Sequence, residues 1–340
     1  MKRILLTLFL LAVAIAAGAL LDFQNYITSP VGEDEESIVY EVRKGASLGV
    51  VARELHAQGL IERPLYWKLL ARLEGKTRSI RLGEFRLSGA MSPSEILDTL
   101  VSGATVQYSL TVLEGWNFRQ LMAAVAAHPK LIATDITQDP DRLMTHLGQP
   151  GMHPEGWFYP DTYHFPKGTT DLAFLERAYG IMASTLEQEW SGREPDLPLD
   201  SAYEALILAS IVEKETAVAS ERPMIAAVFL SRLRKGMRLQ TDPTVIYGMG
   251  ELFDGNIRKS DLLRDTPYNT YTRAGLPPTP IALPSGAAIH AVLHPAETDA
   301  LYFVAKGDGS HHFSATYDEH RDAVIQFQLG GNASRYKGSQ

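Results

Sequence analysis

Glu213 and Glu215 stand near the end of the run Ala205-Leu-Ile-Leu-Ala-Ser-Ile-Val-Glu-Lys-Glu-Thr-Ala217, a stretch that is otherwise almost entirely nonpolar. On a helix advancing about 100° per residue, Glu215 shares a stripe with Leu208, Ile211 and Val212. Glu213 follows Leu206, Ala209 and Ser210, roughly 160° round the axis, so the two carboxylates cannot work as a close pair on one face. A carboxyl held against apolar side chains has its charged form disfavoured, so its pKa rises and it can carry a proton near neutral pH. Such a group can protonate a glycosidic oxygen and later take a proton from the attacking nucleophile. The same spacing also suits two ordinary helix-end glutamates paired with Lys214, Arg222 or another cation, and the residues by themselves leave both readings open.

Other polar residues could assist such chemistry. Gln240, Thr241 and Asp242 precede Pro243 on one loop, and Asn269 with Tyr271 lies on another. These could hold acetamido groups or stabilise a transition state, although ordinary turn chemistry accounts for them equally well. Trp157, Phe158, Tyr159 and Tyr163 surround Asp161 in the manner of a sugar-binding wall, or of aromatic staples for a loop. The expected substrate-binding set is therefore Glu213, Gln240, Asp242, Asn269, Tyr271, Tyr159 and Asp161. The basic run Arg232, Arg234, Lys235 and Arg238 could meet the carboxylates of peptide stems or be a solvated helix face. His290 and His294 have i, i+4 spacing, but the sequence shows neither H-E-x-x-H nor a third ligand, so no metal is expected. Gly248-x-Gly250 lacks the rest of any phosphate-binding pattern, and no cofactor is expected.

These residues need a sizeable scaffold, and 340 residues with 45% hydrophobic and 21% charged content supply one. The net charge of -8 argues against nucleic acid as a partner, since such binders need a cationic surface. The absence of cysteine removes disulfides, thiolate nucleophiles and Cys-ligated zinc. At the N-terminus, Lys2 and Arg3 precede the uncharged run Ile4 to Leu21, whose 18 residues match the thickness of a bilayer's hydrocarbon core. The positive-inside rule keeps residues 1–3 cytoplasmic and exports everything after the span at 4–21. The predicted product is a single-pass inner-membrane protein with an exported body; a cleaved signal peptide is the alternative, also exporting it.

Residues 22–37 are polar and acidic and read as a tether. Beyond them the expected fold is α+β: a small αβ domain at 38–103 and a larger mixed α+β domain at 104–340. Ile38, Tyr40 and Val42 alternate as a strand; Ser47 caps a helix over Leu48–Gln58; Pro64 starts a second helix, ended at Gly75. Leu82–Leu87 returns as a strand, and Ser92-Pro93-Ser94-Glu95 forms a capping box for a third helix ending at Gly103. In the larger domain a strand is expected at Val106–Leu113, a helix after Asn117, helices at 171–190, 201–217 and 221–235, then a Pro- and Gly-rich region. A buried strand at Leu301–Ala305 and a terminal helix at Tyr317–Leu329 complete it.

The strand, helix, helix, strand order of 38–88, with Val42-Arg43-Lys44-Gly45-Ala46-Ser47-Leu48, resembles the LysM glycan-binding module. A more specific likeness lies in residues 207–250, with the blocks Glu213-Lys-Glu-Thr216 and Leu239-Gln-Thr-Asp-Pro-Thr-Val-Ile-Tyr-Gly248. Together with 155–163, 268–278 and His294-Pro-Ala296, they resemble the YceG-like family of endolytic murein transglycosylases over nearly the whole chain, anchor included. That resemblance implies a lytic cut of the β-1,4 bond between N-acetylmuramic acid and N-acetylglucosamine in nascent glycan strands, leaving a 1,6-anhydro-muramyl end. It implies Glu215 as the catalytic residue, peptidoglycan as substrate, and action beside peptidoglycan synthases, where the enzyme terminates glycan elongation. One carboxylate suffices for such a reaction, because the muramyl C6 hydroxyl is a nucleophile already tethered to the reacting carbon. Two rival readings are a muramidase pairing Glu215 with Asp161 or Asp242, and a non-catalytic scaffold that binds glycan.

Overall fold

The computed structural model describes residues 2–32 and 35–336 of a mixed α+β chain. It divides into two compact units, one of Met1–Tyr108 with His164–Thr169, the other of Ser109–Tyr163 with Thr170–Gln340.

In the first unit, helix α1 (Lys2–Thr28) is long and apolar enough to cross a membrane, and its side chains from Ile4 to Leu21 are exposed. It outruns the predicted span. Asp22 accepts hydrogen bonds from Arg63 (2.6 Å) and the Tyr66 hydroxyl (2.9 Å), and Phe23 is buried with its ring edge-on to Tyr66. The backbone of Val31 and Gly32 then bonds to Met91 and Gly89. The tether expected at 22–37 is thus shortened: Phe23, Ile27 and Val31 pack on the core of the small unit, a role masked by their polar neighbours. Glu33 and Asp34 of that segment lie outside the described residues.

Strand β1 (Ile38–Val42), helices α2 (Leu48–Ala57) and α3 (Pro64–Leu73) and strand β2 (Gly83–Leu87) follow in the predicted order. The strands pair antiparallel with Tyr40 opposite Phe85, which turns both rings into one core with Val51, Leu55, Trp67 and Leu97. Helix α4 (Pro93–Ser102) starts on the Ser92–Glu95 capping box and stops at Gly103, whose φ of 81° suits glycine.

Strand β3 (Gln107–Thr111) pairs with β4 (Thr162–Pro166), and the division between the units falls within both. Between them lie α5 (Phe118–Ala127), capped by Asn117 and Gln120, and α6 (Pro140–His146). The centre of the second unit is helical. Helix α7 (Asp171–Ser191), α8 (Ala202–Glu215) and α9 (Arg222–Arg234) are followed by the short helices α10 (Asp242–Met249), α11 (Lys259–Leu263) and α12 (Gly286–Leu293). Every residue of α8 from Ala205 to Val212 is buried, against α7, α9, α10 and α12. A helix apolar all round needs such a sheath. The strands β5 (Tyr302–Ala305) and β6 (His311–Ser314) form an antiparallel pair beside α13 (Tyr317–Phe327). The β5 strand is only partly buried, so the fully buried strand expected at Leu301–Ala305 is a strand on the margin of the core.

Candidate active site

Ser201 caps the start of α8 by accepting from the Glu204 amide, and the helix stops at Thr216, whose backbone is extended. This places Glu215 in the last helical position, at a cavity of about 630 Å³ that is also lined by Arg232, Asp242, Tyr271, Tyr302 and His311. Thr241 donates its hydroxyl proton to Glu215 Oε1. No other hydrogen bond to the carboxylate occurs among the described residues. Burial pushes the Glu215 pKa up; the Thr241 hydrogen bond opposes the rise, the charge of Asp242 adds to it, and His311 and Arg232 counter it.

The loop holding Thr241 is rigidly built. Gln240 adopts φ = 52°, a conformation uncommon for a residue with a side chain. Such a backbone persists where its surroundings enforce it. Here its amide bonds to Thr270 O (3.2 Å), the Thr241 amide bonds to Thr270 Oγ1 (3.1 Å), and Thr244 Oγ1 returns to Thr241 O (2.8 Å). The buried threonines thus fix the one hydroxyl that touches Glu215.

Basic groups close the cavity's other side. Arg232 is buried, donating to Leu301 O (2.7 Å) and Leu239 O (2.5 Å) with its guanidinium over the Tyr302 ring. It leaves the solvated face expected for the basic run, whereas Arg234 and Lys235 remain exposed. His311 is held at 2.7 Å by Glu221. Thr241 stands on the loop that the sequence offered with Gln240 and Asp242, whereas Tyr302 and His311 carry no signal that marks them in sequence, because they reach the cavity only through the fold.

A model of the YceG-like family matches residues 40–326. The chain belongs to that family. It is 31% identical to an endolytic murein transglycosylase of Bacillus subtilis, over 92% of this chain and 91% of the relative. A Streptococcus pneumoniae endolytic murein transglycosylase is 26% identical, with 96% of this chain aligned to 65% of that longer protein. A crystal structure of a YceG-like protein of Listeria monocytogenes, 31% identical, superposes with a TM-score of 0.55 over 85% of this chain and 99% of that one.

Within this family member, the candidate residues divide sharply. Gln240, Asp242 and Tyr271 join Glu215 at the cavity, where the Tyr271 hydroxyl donates to Asp242 Oδ1 at 2.6 Å. Glu213 does not face it: Oε2 accepts from the Ser285 amide (3.0 Å) and hydroxyl (2.5 Å), and Oε1 from Arg222 (3.2 Å). Asn269 is 1% exposed and spends its amide on the carbonyls of Asp261, Leu262 and Arg264, clamping its loop. Tyr159 and Asp161 are not among the cavity's residues; the Tyr159 hydroxyl approaches Gly286 so closely that a Cβ there would lie 2.7 Å away. The rings of Trp157, Phe158 and Tyr163 are buried, Trp157 stacking on Tyr203 and Phe158 on Phe118, so they are core staples and not an open sugar wall.

Two further features escaped the sequence reading. Glu155 is buried, and its carboxylate accepts from the Phe118 amide (2.9 Å) and the Tyr247 hydroxyl (3.0 Å). Burial pushes its pKa up to about 7. The other is a neighbour that the sequence did not show for His290 and His294: Glu189, brought from α7 to 2.8 Å from His290 Nδ1.

Proposed function

We propose that the chain is a peptidoglycan lytic transglycosylase with Glu215 as its single acid and base. The observation that carries this reading is the place of the Glu215 carboxylate: at the end of a buried apolar helix, with its pKa pushed up by burial, held by one neutral hydroxyl and lining a cavity of about 630 Å³. Protonated, it donates to the bridging oxygen as the bond to muramyl C1 breaks. As a carboxylate it then takes the proton of the C6 hydroxyl, which closes onto C1 and leaves the 1,6-anhydro end. Thr241 orients the carboxylate; Arg232 and Tyr271 offer polar groups to the sugar or its peptide stem.

In the same reading α1 anchors the chain in the inner membrane with the body on the outer side, beside the synthases that make nascent strands. The β1-α2-α3-β2 module is a holder of glycan. Mass spectrometry of nascent uncrosslinked glycan treated with the full-length protein tests the chemistry. Anhydro-muramyl ends, absent with Glu215→Gln, are the expected product. Reducing ends would instead favour a hydrolase using Asp242, which lines the same cavity, as its second carboxylate.

A further inference from the structure

We propose that Glu189, His290 and His294 form a binding site for a divalent transition-metal ion of the zinc class, outside the glycan cavity. Glu189 lies in the last turn of α7, and the two histidines lie one turn apart at the end of α12. One oxygen of Glu189 stands 2.8 Å from His290 Nδ1 and 3.6 Å from His294 Nε2, and the three donor atoms all lie within 4.8 Å of one another. Donors around a tetrahedral zinc, with bonds of about 2.0–2.2 Å, sit about 3.3–3.6 Å apart, so an ion would replace the 2.8 Å hydrogen bond between His290 and Glu189 with only a small opening of the pair. Two imidazoles and a carboxylate leave a fourth position for water.

Other features of the cluster favour a cation. The second nitrogen of His294, Nδ1, faces the Glu194 carboxylate at 3.8 Å, on the side where an orienting carboxylate serves a ligating histidine. The Glu194 amide donates to Leu293 O at 2.9 Å, which keeps that carboxylate beside the end of α12. Both helices terminate here, so both present the negative ends of their dipoles. The imidazole rings stack 4.3 Å apart, which keeps the two side chains on one side of the helix end.

The ion would tie α7 to α12. Helix α12 packs on α8, and its capping residue Ser285 holds Glu213, so the site braces the helix that carries Glu215 from behind. The role is structural.

Isothermal titration of zinc chloride into the full-length, tag-free protein in detergent, at pH 7.5, tests the proposal. The expected result is one zinc per chain, a melting temperature raised by zinc and restored by EDTA, and affinity weakened at least about tenfold in His290→Ala and in Glu189→Gln. Both variants should cut glycan at the wild-type rate once folded, because neither residue lines the cavity. Absence of saturable binding at one equivalent overturns the site, as does zinc binding that is undiminished in both variants.

Discussion

The two carboxylates at the end of α8 are two residues apart and meet opposite fates. Glu213 is 6% exposed and has both oxygens engaged, by Ser285 and by the Arg222 guanidinium. Glu215 has one oxygen held by a neutral hydroxyl, accepts from no cation among the described residues, and lines the cavity. Burial alone therefore does not make a catalytic acid; what matters is whether the buried carboxylate has been given a cation. A paired carboxylate stays ionised and holds structure, while an unpaired one keeps its proton available.

The largest expected effect follows at Glu215. Glu215→Gln keeps the shape and the Thr241 contact but has no proton to give, so glycan cleavage should fall by roughly 10²–10⁴-fold. Its melting temperature should match or exceed that of the wild type, since a carboxylate disfavoured by burial is removed. A variant that still releases anhydro ends at more than a tenth of the normal rate would end the distinction between the two glutamates.

At Glu213 the loss should appear in stability. Glu213→Ala leaves Arg222, which is 9% exposed, with only the longer 3.6 Å contact to Glu114, and leaves the α12 cap without its acceptor. Breaking a buried pair in this way costs about 3–5 kcal/mol. Urea unfolding measures it, and an undisturbed midpoint would show that Glu213 braces nothing.

This contrast bears on what a sequence can tell. The stripe of Leu208, Ile211 and Val212 put Glu215 on the apolar side because helical periodicity is local information, and the Ser47 and Ser92 caps were legible for the same reason. Partners supplied from far along the chain were not. Nothing in the neighbourhood of Glu213 announces Ser285, which is 72 residues away in sequence, and nothing near His290 announces Glu189, which is 101 away. Asn269 and the rings of 157–163 stay open between two readings on the same ground: their types suit sugars and cores alike, and only packing decides between the two. The helix continuing past Asp22 was hidden because a polar stretch can still place Phe23 and Ile27 on one side.

A third carboxylate refines the rule. Glu155 has both oxygens bonded, yet only to neutral donors, and its pKa is pushed up to about 7. Its folded pKa lies above the unfolded value, so its contribution to stability is fully present below about pH 4.3 and is lost as pH rises through about 7. The loss amounts to about 3–4 kcal/mol. Glu155→Gln should therefore be more stable than the wild type at pH 8 and equal to it at pH 4, as read by denaturant midpoints at the two pH values. A wild-type and variant difference that does not change between them would mean that Glu155 titrates in the folded protein as it does in the unfolded chain.

The smallest effect is the most discriminating. Thr241 donates to Glu215 in its charged form, and that bond holds the carboxyl's pKa below where burial alone would set it. Thr241→Val removes the hydroxyl at nearly constant volume, and because Thr241 makes no side-chain cap to α10, that helix should survive. Activity depends on protonated Glu215 for the first step, so the rate falls as pH rises through its pKa. Without the hydroxyl that pKa climbs further, and the alkaline limb of the kcat profile should move to higher pH, with modest loss of rate on the acid side. A limb that stays in place would assign the alkaline fall to another group, and a limb displaced to lower pH would mean that the threonine supports the neutral acid instead of its anion.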